Sequence, residues 1–76
     1  MRIISKERLH HLRETYPVGC RVELLRMDDI KAPVIGTKGT VIGVDDIGSI
    51  MVSWDTGSSL SVVFGEDFCR RIDDDR

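Results

Sequence analysis

The chain has 76 residues, which is enough for one small domain with a single core. Its 13 acidic and 11 basic residues give a formal charge of -2, so no global positive field exists to hold a nucleic-acid backbone. No apolar run approaches the roughly 20 residues of a membrane-spanning helix, and the first residues are too few for the apolar region of a signal peptide. The composition therefore predicts a soluble, cytoplasmic domain without a deep, enclosed active site.

A short helix is predicted over residues 5–16. Ser5 is a good N-cap, and Leu9, Leu12 and Tyr16 recur at helical spacing, which gives one apolar stripe. The proline after Tyr16 disfavours helical geometry, so the helix ends there. We expect residues 1–16 to form an appendage that leads into a sheet.

Residues 20–26 change from helical to alternating spacing. Val22 and Leu24 alternate with charged residues, which is typical of a half-buried strand. Residues 27–38 then lack periodicity and contain two adjacent aspartates, a proline and a glycine, so we expect a long loop. Long loops in small domains often carry function.

The next two strands form a predicted hairpin that turns at residues 45–48. Val41 faces inward on the first strand, and Ile50, Val52 and Trp54 face inward on the second. Trp54 could instead be an exposed stacking platform, but its shared parity with Ile50 and Val52 favours the core.

A second hairpin follows, with a three-residue loop at residues 55–57. If Gly57 takes the left-handed position of a bulge, Val52 lies opposite Leu60 and the inner faces stay in register. Leu60 and Val62 continue the inner face, and residues 68–72 supply a fifth strand. The sequence thus predicts a mainly β fold: a short N-terminal helix, a five-stranded SH3-like barrel over residues 17–72 whose first and last strands pair, and an acidic tail at 73–76.

The two cysteines, Cys20 and Cys69, match neither a CxxC redox pair nor a zinc knuckle. A free cysteine behaves as a small hydrophobic residue, so we predict two buried or half-buried free thiols. Because the first and last strands of the predicted barrel are antiparallel, the cysteines are expected toward opposite ends, unbonded.

Several stretches of the chain are similar to one known family. They are YPVGCRVEL (16–24), MDD (27–29), GTKGTV (36–41), GVDDIG (43–48) and WDTGSSL (54–60). Together they cover about residues 16–72 and resemble domain-of-unknown-function family 4314, whose members are short proteins of Firmicutes, their phages and other mobile elements. The resemblance implies that origin, a bacterial host cell and the fold. The family has no established activity, so it implies no catalytic residues.

The residues that could carry chemistry favour structural roles. The glycines match neither a Walker motif nor GxGxxG, and the aspartate pairs at 28–29 and 45–46 do not fit a calcium loop. His10 and His11 diverge on a helix and each has a glutamate at i±4, so they do not share a metal. Neither cysteine belongs to a recognisable nucleophile signature. We therefore expect no enzyme, no metal and no cofactor.

A binding module remains, with two hypotheses. The first is an accessory of a phage or mobile element that binds or sequesters a host protein or a small nucleotide-like ligand, for example as an anti-defence inhibitor; the resemblance motivates it. The alternative is a nucleic-acid-binding SH3-like domain that gathers basic residues beside the long loop: Arg21, Arg26, Lys31, Lys38, Arg70 and Arg71. Nearby carboxylates would cancel much of that field.

Two surfaces are candidate binding sites. Closure of the first hairpin with pairs 44–49, 42–51 and 40–53 places Ile42 opposite Met51 on the outer face, and Val44 and Val63 extend this apolar patch. The patch would be a contact surface or a homo-oligomer interface, unless the stripe of the N-terminal helix covers it. The second surface is the long loop, with candidate residues Met27, Asp28, Asp29, Lys31 and Lys38.

Overall fold

The computed structural model describes residues 3–72, which form one short helix and four antiparallel strands in an open sheet. In chain order these are α1 (Lys6–Thr15), β1 (Arg21–Arg26), β2 (Lys38–Val44), β3 (Ile50–Trp54) and β4 (Phe68–Ile72). The strand order across the sheet is β3-β2-β1-β4. A mainly β fold is confirmed, whereas five strands and a barrel are not. The predicted acidic tail lies outside the described residues.

The helix begins after an N-cap serine and ends before a proline, as the sequence predicted. The Ser5 hydroxyl accepts a hydrogen bond from the backbone N–H of Arg8 at 3.2 Å, as an N-cap does. At the other end, the N–H of Tyr16 donates to the Leu12 carbonyl at 2.9 Å, and Pro17 follows. No helix within the described part of the chain has the length and apolar character needed to cross a membrane.

The first and last strands pair, as predicted. β1 and β4 are antiparallel, with Arg21 opposite Ile72 and Leu24 opposite Cys69. Cys69 therefore lies beside the middle of β1, while Cys20 precedes the first residue of that strand. Both cysteines are free thiols.

The first hairpin keeps only part of its predicted register. Thr40 pairs with Ser53 as expected, but a bulge at Ile42 shifts the next pairs to Gly43–Met51 and Val44–Ile50. The predicted pairs 42–51 and 44–49 are therefore wrong.

The turn itself explains the shift. The Asp45 N–H donates to the carbonyl of Ser49 at 3.0 Å, and the Asp45 carboxylate accepts the N–H of Ser49 at 2.8 Å. These bonds close the hairpin one residue later than predicted on the β3 side. The bulge at Ile42 then restores the register in the rest of the ladder.

The core lies on the face where the sequence predicted it. Val41, Ile50, Val52 and Trp54 are all buried, and Trp54 is only 2% exposed. The indole Nε1 of Trp54 donates to the carbonyl of Leu60 at 2.8 Å, which satisfies its one polar group. The assignment of Trp54 to the core is confirmed.

That same bond explains why a fifth strand is not confirmed. Ile50 and Val62 exchange two backbone hydrogen bonds of 2.9 Å as an isolated bridge, and the N–H of Trp54 donates to the Ser58 carbonyl at 2.9 Å. Both contacts keep the predicted offset, in which Val52 lies opposite Leu60. The backbone of Leu60, however, bonds elsewhere: its carbonyl accepts the Trp54 indole and its N–H donates to the Ser58 hydroxyl at 3.4 Å.

Candidate functional site

The structure does not bring the predicted outer apolar patch together as a pair of facing residues. Ile42 is the bulge residue and is 55% exposed. Met51 lies instead against Gly43, where an added Cβ would come within 2.8 Å of the Met51 methyl carbon. Val44 is half-buried and packs against the core, since the shifted register places it beside Ile50.

The apolar side chains of the helix do not pack over that outer face. Leu12 and Tyr16 pack against the buried core instead. Arg13 donates to the carbonyl of Val44 at 3.1 and 3.3 Å, and its guanidinium also bonds the carboxylate of Asp46 at 2.8 Å. These bonds tie the helix to the first hairpin. Val63, the fourth residue of the predicted patch, is half-buried, and its N–H donates to the carboxylate of Asp67 at 3.0 Å.

The predicted loop residues have mixed positions. Met27 is buried and belongs to the core, so it is not available as a surface contact. Asp28 is exposed and forms an ion pair with Arg26 at 3.5 Å. The carboxylate of Asp29 accepts the N–H of Lys31 at 2.8 Å, which is a turn-forming role. Lys38 is exposed and opens β2, so the long loop covers residues 27–37.

Three exposed aliphatic side chains of this long loop were not among the predicted contact residues. Ile30, Val34 and Ile35 are 99%, 80% and 56% exposed. The frame that presents them is hydrogen-bonded: Gly36 donates to the carbonyl of Leu24 at 2.8 Å, and the N–H of Leu24 donates to Thr37 at 2.8 Å. The available signal was the presence of three branched aliphatic residues in an aperiodic segment, where core packing does not require them.

All four arginines proposed for a nucleic-acid surface are engaged with other groups of the protein. Three form ion pairs with carboxylates, namely Arg21 with Asp55, Arg26 with Asp28, and Arg70 with Glu23. Arg71 donates to the carbonyl of Thr15 at 3.1 Å. The hydrogen bonds from Arg21 lower the pKa of Asp55, as expected for a carboxylate that is stabilised in its charged form. Neighbouring carboxylates therefore offset much of the local positive charge.

The thiols are in surroundings that reduce their reactivity. Burial raises the pKa of Cys69 to about 11, and burial also raises the pKa of Cys20. The hydroxyl of Tyr16 donates to the backbone carbonyl of Cys69 at 3.4 Å, and burial raises the pKa of this phenol as well. Because the thiolate is the nucleophilic form, these shifts disfavour covalent chemistry at either cysteine.

Both histidines are exposed on α1, and the predicted pairing with a glutamate is confirmed for His10. His10 Nε2 lies 3.3 Å from the carboxylate of Glu14, one turn further along α1, and both side chains are exposed. Among residues 3–72, no group of three or more histidine, cysteine or acidic side chains is arranged to hold a metal ion.

The family resemblance is borne out by comparison with known proteins. The model of the family described as a domain of unknown function (DUF4314) matches residues 5–72. No curated protein matches the chain. Because the family model covers most of its length, the chain belongs to this family.

Proposed function

We propose that this DUF4314 protein is a non-enzymatic binding module that docks onto another protein through the long loop, residues 27–37. The observation that carries the proposal is the exposure of Ile30, Val34 and Ile35 on a hydrogen-bonded frame. Single exposed aliphatic residues are common, but three within six residues of one loop form a concentrated apolar surface. Burial of such side chains at an interface would contribute favourably to binding.

We also propose a finer description of the fold. It is a five-stranded SH3-like barrel in which segment 58–62 forms an irregular fifth strand. The Ile50–Val62 bridge and the pairing of β1 with β4 support it. Amide hydrogen exchange provides a test: the amides of Ile50 and Val62 should exchange as slowly as those within the β2–β3 ladder. Rapid exchange at both amides would leave the open four-stranded sheet as the correct description.

The partner that we propose is a host protein, which the module binds or sequesters as an accessory of a phage or other mobile element. The resemblance to proteins of such elements motivates this origin, including the idea of an anti-defence inhibitor. A small ligand at the loop is less favoured, because the side chains concerned project from a loop and do not enclose a cavity.

The loop can be tested with a matched pair of variants. In the Ile30→Ser/Val34→Ser double variant, the exposed apolar surface is removed without any change in the core, so the fold should be retained and capture of specific host proteins should be lost. Ile47→Ser is the control, since Ile47 is 67% exposed in the first hairpin turn, outside the long loop. Equal capture by the double variant and the wild type would refute docking through the loop.

The outer face of the sheet was also predicted to be a contact surface or a self-association interface, and this can be tested separately. Met51→Glu would introduce a charge beside Gly43. If an intermolecular interface includes this position, sedimentation should show loss of the oligomer while the circular dichroism spectrum stays native. An unchanged mass together with unchanged partner capture would eliminate this surface.

The nucleic-acid alternative is disfavoured by the ion pairs of Arg21, Arg26 and Arg70. Binding through phosphates would have to compete with these carboxylates. A gel shift across salt concentrations distinguishes the two functions, because strong binding that weakens steeply with salt indicates phosphate contacts.

A further inference from the structure

A cleft lies beside α1, between the helix and the chain from residue 48 to residue 69; we call it the helix cleft. Its volume is about 450 Å³, which is within the range of roughly 300–1,000 Å³ typical of small-molecule sites. Its walls include the apolar side chains of Leu12, Ile50, Val62 and Phe64. An adjoining opening of about 650 Å³ shares four lining residues with it: Arg8, Leu12, Tyr16 and Phe64.

α1 is attached to the rest of the domain by polar contacts and by the packing of Leu12 against the core. No residue of α1 is buried. Arg13 bonds the first hairpin, and the carbonyl of Thr15 accepts a hydrogen bond from Arg71. In the apolar wall beside the helix, Leu12, Tyr16 and Phe64 are half-buried, whereas Ile50 and Val62 are buried.

One basic side chain stands at the boundary between the two openings. The guanidinium carbon of Arg8 lies 5.6 Å from the centroid of the Phe64 ring, and Arg8 lines both openings. Within residues 3–72, its guanidinium has no carboxylate at ion-pair distance. Two acidic residues also line these openings, Asp67 in the helix cleft and Glu7 in the adjoining one, and one oxygen of the Asp67 carboxylate accepts the N–H of Val63 at 3.0 Å.

We propose that the helix cleft binds a small aromatic carboxylate. The aromatic group would occupy the apolar wall beside Phe64 and Tyr16, where ring-to-ring contacts add to the burial of apolar area. The carboxylate would accept hydrogen bonds from the planar guanidinium of Arg8, whose two-pronged geometry matches it. This chemistry is found in free aryl acids and in a polypeptide that ends in an aromatic residue.

This site is independent of the proposed docking loop. The lining of the helix cleft comes from α1, from Tyr16 and from residues within 48–69, whereas the long loop covers residues 27–37. A failure of the loop variants would therefore leave this inference intact, and the reverse also holds.

The test is a titration of the full chain with 3-phenylpropionate, followed by two-dimensional NMR. Amide shifts should change at Ile50, Val62 and Cys69, which line the cleft, with little change in the long loop. The methyl ester of the same acid is the matched control, because it retains the ring and lacks the charge. Binding of the acid should be at least about tenfold tighter than binding of the ester.

The variant Arg8→Gln should weaken binding of the acid by about tenfold and leave the affinity for the ester unchanged. Lys31→Gln, which removes an exposed positive charge in the long loop, away from the helix cleft, should have no effect. The proposal is overturned if millimolar acid causes no shift changes in the cleft, if the ester binds as well as the acid, or if folded Arg8→Gln binds the acid like the wild type.

A final comparison distinguishes the two sources of the ligand. A short peptide that ends in phenylalanine should be compared with 3-phenylpropionate, together with the amidated form of the peptide. Tighter binding of the free-carboxylate peptide would support a polypeptide terminus as the natural ligand. Tighter binding of the small acid would support a free metabolite of that class.

Discussion

Replacement of Trp54 by alanine tests the account of the core most directly. Trp54 is 2% exposed and is the largest of the fully buried side chains. Its removal would cost about 3–5 kcal/mol through lost burial and the cavity left behind. The substitution also leaves the Leu60 carbonyl without the 2.8 Å bond from Nε1, which adds to the loss. Small domains have a total stability of roughly 5–15 kcal/mol, so little folded protein should remain.

The measurement is urea denaturation followed by far-UV circular dichroism, since the chain has one tryptophan and the variant loses the fluorescent probe. Trp54→Phe should show a smaller loss of about 1–3 kcal/mol, because it retains an aromatic ring and removes the indole donor. Val18→Ala is the control: Val18 is 73% exposed, and the midpoint should hardly move. A Trp54→Ala variant that unfolds at the wild-type urea concentration would refute the assignment of this residue to the core.

Three further predictions rest on single contacts. Gly39→Ala should destabilise the protein by about 1–3 kcal/mol in the same urea assay. The added Cβ would lie 2.9 Å from a backbone oxygen of β3 and closer still to two side chains. An unchanged urea midpoint would contradict this packing. Iodoacetamide at pH 8 should label Cys20 before Cys69, because Cys69, with a pKa of about 11, is only about 0.1% thiolate at that pH. Preferential labelling of Cys69 in peptide mass spectra would argue against its burial. Arg21 lowers the pKa of Asp55, so this pair stabilises the fold above the ordinary aspartate pKa, and the stabilisation is lost as pH falls through the lowered pKa. The difference in unfolding free energy between the wild type and Asp55→Asn should therefore be largest near neutral pH and shrink in acid.

Local sequence chemistry determined much of this fold. The helix could be predicted from Ser5 and the apolar spacing, because capping and periodicity act over a few residues. The inward positions of Val52 and Trp54 followed from the two-residue period of a strand. The left-handed conformation of Gly57, with a φ of 99°, followed from the loop length needed to keep two inner faces in register.

The register of the first hairpin was decided by tertiary structure. The hydrogen bonds of Asp45 with Ser49 displace the end of the ladder by one residue, and Ile42 absorbs the difference as a bulge. A residue pattern does not specify which of two adjacent registers a turn will close. This one-residue shift moved Val44 to the core side and separated Ile42 from Met51, which removed the basis for the predicted patch.

The candidate sites depended on the tertiary structure even more strongly. Exposure of Ile30 and Val34 is a property of how the long loop folds against Leu24, and an aliphatic residue in an aperiodic segment can be buried or exposed with equal ease. The helix cleft needs residues from α1 and from the chain around Phe64, which are more than fifty positions apart. Residue spacing predicts which side chains are neighbours within one helix or strand, whereas a cleft forms where separate elements pack together. Only the folded chain brings Arg8 and Phe64 into contact.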